Sequence, residues 1–230
     1  MKKYSAVIFD WDGTVIDSTH SIVSAIQAAC ADLSLPVPPT REAAWVIGLS
    51  LESALYRCIP DLTAEQMPHF LERYRHHYFG YDPHIRLFDG MASVLQDMRA
   101  QSIRLAVATG KSRIGLDRVL DQVALRPLFD TTRCADETAS KPDPTMLFEI
   151  LTEFSLEPDD VLMVGDTTHD VHMAHHAGVD SVAVTYGAHD PDTLKASEPG
   201  FIATSVGELR TWLWPRLRTD VSGIATAEAQ

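Results

Sequence analysis

The sequence is poor in cysteine and in basic residues, and it has no long apolar run. Its three cysteines, Cys30, Cys58 and Cys134, are odd in number and far apart, with no C-x-x-C pair. That excludes a disulfide framework and a cysteine zinc site, and it suits a reducing cytoplasm. Lysine and arginine number 19 against 32 acidic residues, a formal net charge of −13. Such a surface repels a phosphate polymer, so nucleic acid is not an expected partner. A small phosphorylated anion is not excluded, because a local cluster of cations and amides overrides the global field. There is no window of about 18 apolar residues, the length a membrane span requires. The N-terminal apolar run, Ala6 to Phe9, is too short for a signal peptide. A cytoplasmic protein with no membrane partner is expected, as a monomer or homodimer. Its 230 residues suffice for one core domain with an insertion.

The stretch Phe9-Asp10-Trp11-Asp12-Gly13-Thr14 stands out. Ala6 to Phe9 reads as a strand buried on both faces, and two carboxylates follow where that strand should end. Gly13 lets the backbone turn sharply and approach a ligand. Two acids this close repel each other unless a proton or cation lies between them, and magnesium held by oxygen ligands serves that purpose. Alone, the pair reads equally well as a capping turn with two solvated aspartates.

After Thr14 the periodicity becomes helical. An amphipathic helix is predicted from about Ser18 to Leu33, stopped by Pro36-Val37-Pro38-Pro39. Thr40 then caps a short helix to Ile47, Gly48-Leu49-Ser50 breaks it, and another helix runs from Leu51 to before Pro60. Thr63 with Gln66 forms a capping-box pattern for a helix to about Tyr78. The region from Ile16 to about Ile85 thus reads as helical, without a strand. From Arg86 onward, helix and strand alternate. Helices are predicted over Met91–Ala100, Arg113–Val123 and from Lys141-Pro142-Asp143-Pro144 to Phe154, with one more ending near Gly178. Strands are predicted at Leu105–Ala108, Phe129–Thr132, Val161–Val164 and Ser181–Val184. This is the pattern of an α/β fold, a doubly wound parallel sheet of Rossmann type. The expected division is a core of 1–15 and 86–217, an all-helical cap of 16–85, and a loose tail of 218–230.

Open parallel sheets bind ligands at the carboxyl ends of their strands. Four such ends carry functional groups here: Asp10 with Asp12, Thr109, the approach to Lys141, and Asp166 with Asp170. Together they meet the needs of phosphoryl transfer to a carboxylate. One aspartate attacks phosphorus, magnesium neutralises the transferring oxygens, and a hydroxyl, an amide and an ammonium hold the rest. A second acid protonates the leaving alkoxide and then activates water.

These residues, in this order, resemble the four motifs of the haloacid dehalogenase superfamily of phosphatases, in the branch with a helical cap after the first strand. The resemblance spans about residues 4–190. It implies that Asp10 is the nucleophile and Asp12 the general acid and base. It also implies that Thr109, Gly110 and Lys141 bind phosphate. A Mg2+ cofactor is implied, held by Asp10, Asp166 and the Asp12 backbone carbonyl, with Asp170 nearby. The founding dehalogenases lack an acid two residues after the nucleophile, so Asp12 favours phosphate ester hydrolysis. Thr109-Gly110-Lys111 is similar to the Thr-Asn-Lys of phosphoglycolate phosphatases, which implies a small phosphorylated metabolite as substrate. A phosphosugar phosphatase or mutase, a pyrophosphatase and a catalytically silent phosphate binder are the alternatives. A binder has no need of Asp12.

Selectivity is expected from the cap loop Gly48-Leu49-Ser50 closing over the leaving group, and from Lys111. That lysine reads equally as a contact for a second substrate anion and as a solvated charge at a helix start. Arg113 is a weaker candidate of the same kind. Asp143 reads as a turn or cap residue, and Trp11 as packing. His169, His172, His175 and His176 are expected to point to water, opposite the stripe of Asp170, Met173, Ala174 and Ala177 that faces the sheet.

Overall fold

The computed structural model describes residues 2–81 and 86–218. The expected tail of 218–230 lies outside the described residues except for Arg218, whose N–H donates to the Tyr4 carbonyl at 2.8 Å; residues 82–85, the end of the helical block, also lie outside them. The strands are β1 (Ala6–Phe9), β2 (Ile16–Asp17), β3 (Arg86–Leu87), β4 (Arg104–Thr109), β5 (Thr131–Cys134), β6 (Val161–Gly165), β7 (Asp180–Val184) and β8 (Phe201–Ala203). Six of them form one sheet in the order β5-β4-β1-β6-β7-β8, every pair parallel. β1 is central and buried on both sides. Val7 and Phe9 join the core under one sheet face, while Ala6 and Ile8 join the other. That double burial is why the strand reads as a continuous apolar run rather than an alternation.

Helices cover both faces: α5 (Met91–Ala100), α6 (Arg113–Gln122), α7 (Thr145–Phe154), α8 (Thr168–Ala177), α9 (Pro191–Ala196) and α10 (Val206–Leu213). Met146, Leu147 and Ile150 of α7 pack with Met173 and Ala174 of α8 beneath Ile8. Met91, Leu95, Leu116 and Leu209 pack on the opposite face with Val7 and Phe9. Register then positions the site. Phe9 lies opposite Val107 and Val164, while β4 runs on to Thr109 and β6 to Gly165. Asp10, Thr109 and Asp166 therefore emerge together at the carboxyl edge.

Between β2 and β3 the described chain is helical: α1 (Thr19–Asp32), α2 (Thr40–Trp45), α3 (Leu51–Cys58) and α4 (Met67–Tyr81). α1 packs along α4, burying Ile26, Ala29 and Phe70. Thr63 and Gln66 make the expected reciprocal bonds, Gln66 N–H to Thr63 Oγ1 at 3.3 Å and Thr63 N–H to Gln66 Oε1 at 3.0 Å. Two details differ from expectation. Ile16–Asp17 is not helical but pairs antiparallel with Arg86–Leu87, so the chain enters and leaves the helical block through a small ribbon. Two residues are too few to show a strand period. Also, Pro39 rather than Thr40 stands at the cap position of α2.

β5 begins two residues later than predicted, at Thr131. Arg126–Leu128 forms a 3-10 turn, Phe129 packs edge-on against the Trp11 ring at 5.9 Å, and the Asp130 carboxylate accepts the Leu105 N–H at 2.8 Å. Asp130 still reaches β4 through its backbone, its N–H donating to the Leu105 carbonyl at 2.8 Å.

Candidate active site

At the carboxyl edge, Asp10 is 1% exposed and Asp166 is fully buried. Asp170, in the first turn of α8, joins them, and the three offer carboxylate oxygens within 4.8 Å of one another. Lys141 reaches in from the loop before α7. Its ammonium pairs with Asp10 Oδ1 and lies 2.6 Å from Asp170 Oδ1. Asp166 is steadied by the Thr14 hydroxyl at 2.8 Å and the Ala188 N–H at 2.6 Å. Asp170 Oδ2 accepts from the Thr167 N–H (3.0 Å) and hydroxyl (2.7 Å), closing a capping box on α8. A side chain at position 13 would not fit. Gly13 has φ +87°, and a Cβ there would lie 2.1 Å from Asp166 Oδ2.

Three buried carboxylates thus face one ammonium. Burial pushes the Asp10 carboxyl well above its usual range; Lys141 pulls it back, and Asp170 and Asp166 push it further up. Burial, with Asp170 alongside, pushes Asp166 up to about 7. Burial opposes the Lys141 charge, but Asp10 and Asp170 outweigh it and hold the lysine protonated. Asp10 Oδ2 has no hydrogen-bond partner. An all-oxygen set with excess negative charge and an unpartnered oxygen fits a hard divalent cation such as Mg2+.

Asp12 is turned away from this cluster. Its Oδ1 accepts the Ser18 hydroxyl at 2.6 Å and pairs with Lys111 Nζ at 3.0 Å. Lys111 is not a solvated charge: its side chain is 13% exposed, and it also donates to the Tyr78 hydroxyl of α4 at 3.1 Å. Thr109 is buried at the end of β4, its Oγ1 accepting the Lys111 backbone N–H at 3.1 Å. Gly110 beside it is one of the places where the helical block touches the core. A Cβ there would lie 2.3 Å from the Leu49 carbonyl oxygen and 2.6 Å from that of Gly48. Gly48 itself has φ +93°, and Ser50 caps α3. Arg113 does not join the site; its guanidinium binds Glu137 and the Thr132 carbonyl. Asp143 is a turn residue ahead of α7, its carboxylate accepting the Thr145 N–H at 2.9 Å. Trp11 is fully buried as packing.

The histidines divide. His172, His175 and His176 are exposed, as expected. His169 is not: it is 4% exposed, and its Nε2 donates to the Trp45 carbonyl at 3.0 Å. The end of α2 covers the first turn of α8, which a helical wheel alone does not show. His189 joins it from the loop after β7. Its Nδ1 accepts the Thr168 N–H at 3.1 Å, so Nε2 carries the proton and donates to the same carbonyl at 2.9 Å. Burial lowers both imidazole pKa values, His169 to about 4.

Comparison with known proteins bears on this geometry. The family model of haloacid dehalogenase-like hydrolases matches residues 7–184, from β1 through β7. The chain belongs to the haloacid dehalogenase-like hydrolases. A probable phosphatase, IndB, of Dickeya dadantii is 35% identical over 209 residues, covering 88% of this chain and 90% of that protein. A phosphoglycolate phosphatase of Synechococcus elongatus is 29% identical, over 89% of this chain and 94% of its own length. The crystal structure of a predicted phosphoglycolate phosphatase from Haemophilus somnus 129PT superposes with a TM-score of 0.82 at 24% identity, covering 92% of this chain and 99% of that one. That last likeness shows a shared fold. Within this hydrolase fold, sequence reasoning missed Thr14, Ser18, Tyr78, Ala188 and His189. Only Thr14, inside the first motif, carried a local signal.

Proposed function

We propose that this hydrolase is a Mg2+-dependent phosphatase acting through an aspartyl phosphate on a small phosphorylated metabolite, with a phosphoglycolate-like ester as the leading candidate. Asp12 supports this reading most strongly: a second buried acid, held by Ser18, follows two residues after Asp10, whose Oδ2 has no hydrogen-bond partner. The phosphatase names of near-full-length relatives support the reaction class, and the Synechococcus relative supports the substrate.

In this reading Asp10 Oδ2 forms the bond to phosphorus as the ester P–O bond breaks. Asp12 gives its proton to the departing alkoxide. Asp12 then takes a proton from water as that water attacks phosphorus, and the bond to Asp10 breaks. Thr109, the Gly110 amide and Lys141 hold phosphoryl oxygens. Asp10 and Asp166, the Asp12 carbonyl and the nearby Asp170 would hold the metal. When bound, the cation offsets charge on the nucleophile and on the transferring oxygens. The helical block 16–85 acts as a cap whose loop Gly48-Leu49-Ser50 excludes water over Gly110. Lys111 meets a second anionic group on the substrate.

The test is a panel of phosphate monoesters, with and without an anionic leaving group, assayed with magnesium and with excess chelator. Magnesium-dependent release of phosphate, fastest for short anionic leaving groups, is the expected result. Undiminished turnover in chelator contradicts it.

A further inference from the structure

The contact between Lys111 and the helical block has a second partner. Tyr78 is 6% exposed on α4, stacked on Tyr74 with ring centroids 5.8 Å apart and an interplanar angle of 16°. Lys111 Nζ lies 4.9 Å from the centre of the Tyr78 ring and donates to its hydroxyl oxygen at 3.1 Å. Since the lysine can only donate, the tyrosine oxygen must accept, and its own proton remains available. Among the described residues, no hydrogen bond uses that proton. Lys111 has three N–H groups, of which Asp12 and Tyr78 engage two. One ammonium N–H and one phenol O–H therefore sit side by side, a hydrogen-bond length apart, at the seam between α4 and the end of β4.

We infer that Tyr78 is a specificity-determining residue: with Lys111 it forms a two-donor receptor for an oxyanion on the leaving group. This rests on the phosphatase reading above and deepens it. Two adjacent donors match the two oxygens of one carboxylate, or two oxygens of a second phosphate. Lys111 contacts both Asp12, at 3.0 Å, and Tyr78, at 3.1 Å, so this receptor would hold the oxyanion close to the acid that serves the leaving oxygen. That geometry selects a leaving group with a short carbon skeleton and a terminal acid. A neutral or bulky leaving group leaves the phenol O–H and the third ammonium N–H without an acceptor, which disfavours it. Because Tyr78 comes from α4, the receptor exists only when the helical block is seated on the core. Substrate charge and closure are thereby read together.

Tyr78→Phe removes the hydroxyl but keeps the ring under Lys111. The experiment measures kcat and KM for 2-phosphoglycolate and for 4-nitrophenyl phosphate, which has no second anion, in wild type, Tyr78→Phe and Tyr78's neighbour variant Tyr74→Phe. Loss of a hydrogen bond to a charged group is expected to lower the ratio of the two kcat/KM values about tenfold in Tyr78→Phe. The loss should fall mainly in KM for 2-phosphoglycolate. Tyr74→Phe, which removes a hydroxyl that makes no bond to Lys111, should keep the wild-type ratio. Competitive inhibition by free glycolate against the aryl ester is a second readout, and its Ki should rise in Tyr78→Phe by a similar factor. An unchanged ratio and unchanged Ki in Tyr78→Phe overturn the role of Tyr78 while leaving the substrate reading intact. A parallel fall on both esters overturns it too, by assigning the hydroxyl to stability. A wild type that prefers the ester without a second anion overturns the substrate reading and this receptor with it.

Discussion

At the scale of single residues, the site is governed by charge. Lys141 compensates Asp10 and Asp170 where all three side chains are buried. Removing one partner of a buried ion pair typically costs about 3–5 kcal/mol. Lys141→Met should therefore lower the melting temperature of the metal-free protein sharply, and magnesium should recover part of the loss by supplying positive charge. Thermal unfolding with and without magnesium checks this; a melting temperature indifferent to the substitution contradicts the charge account. Asp12 makes a different demand. Asp12→Asn should slow hydrolysis of an alkyl phosphate by roughly two to four decades, the usual scale for a lost general acid–base. The penalty should shrink as the leaving group becomes more acidic, since a good leaving group needs no proton. Equal losses on alkyl and aryl esters would contradict the assigned role. Asp10, Asp12 and Asp166 were legible because each lies in a short motif at a strand end, and Lys141 because it lies in the Lys141-Pro142-Asp143-Pro144 motif ahead of a helix. Ser18 and Tyr78 were not, because each is defined by a partner that the fold brings to it.

At the scale of elements, helix α8 joins the site to the helical block. Asp170 in its first turn faces Asp10 and Asp166, while His169 beside it bonds to Trp45 at the end of α2. Burial lowers the His169 pKa from 6.5 to about 4 in the folded chain. The unfolded chain thus takes up the proton first as pH falls. Stability from this residue is fully present above pH 6.5 and is lost as pH drops toward 4. His189, facing the same carbonyl, shifts in the same direction. His169→Gln keeps a donor for Trp45 but does not titrate. It should flatten the fall in melting temperature through that pH window relative to wild type. Identical slopes for the two proteins would show that the imidazole is not held neutral. Helices with a clear period, such as α1, and strands that form a continuous apolar run, such as β4 and β6, were legible. β2 and β3 are too short to carry a period, and β8 and α9 are short as well. α9 and α10 did carry a signal: Asp190 and Ser205 cap them through the Thr193 and Glu208 N–H groups.

At the scale of the whole molecule, a parallel sheet brings motifs from across the sequence to one edge, and a helical block rests on that edge through Gly110. The order of the motifs was enough to read the sheet and most of the site, because a parallel sheet always presents its strand ends together. How the helical block meets the core was not readable, since it depends on contacts such as Leu49 with Gly110 and Tyr78 with Lys111. The central claim is that this architecture transfers a phosphoryl group to Asp10. It is tested most directly by acid-quenching Asp12→Asn during turnover of a 32P-labelled aryl phosphate with magnesium, then mapping the label by peptide. In that variant the aryl ester still phosphorylates the enzyme, but attack by water is slowed, so the intermediate should accumulate. The label is expected on the peptide containing Asp10, to disappear in the Asp10→Asn/Asp12→Asn double variant, and to fail to form in excess chelator. Turnover by Asp10→Asn, or label on another residue, would contradict it.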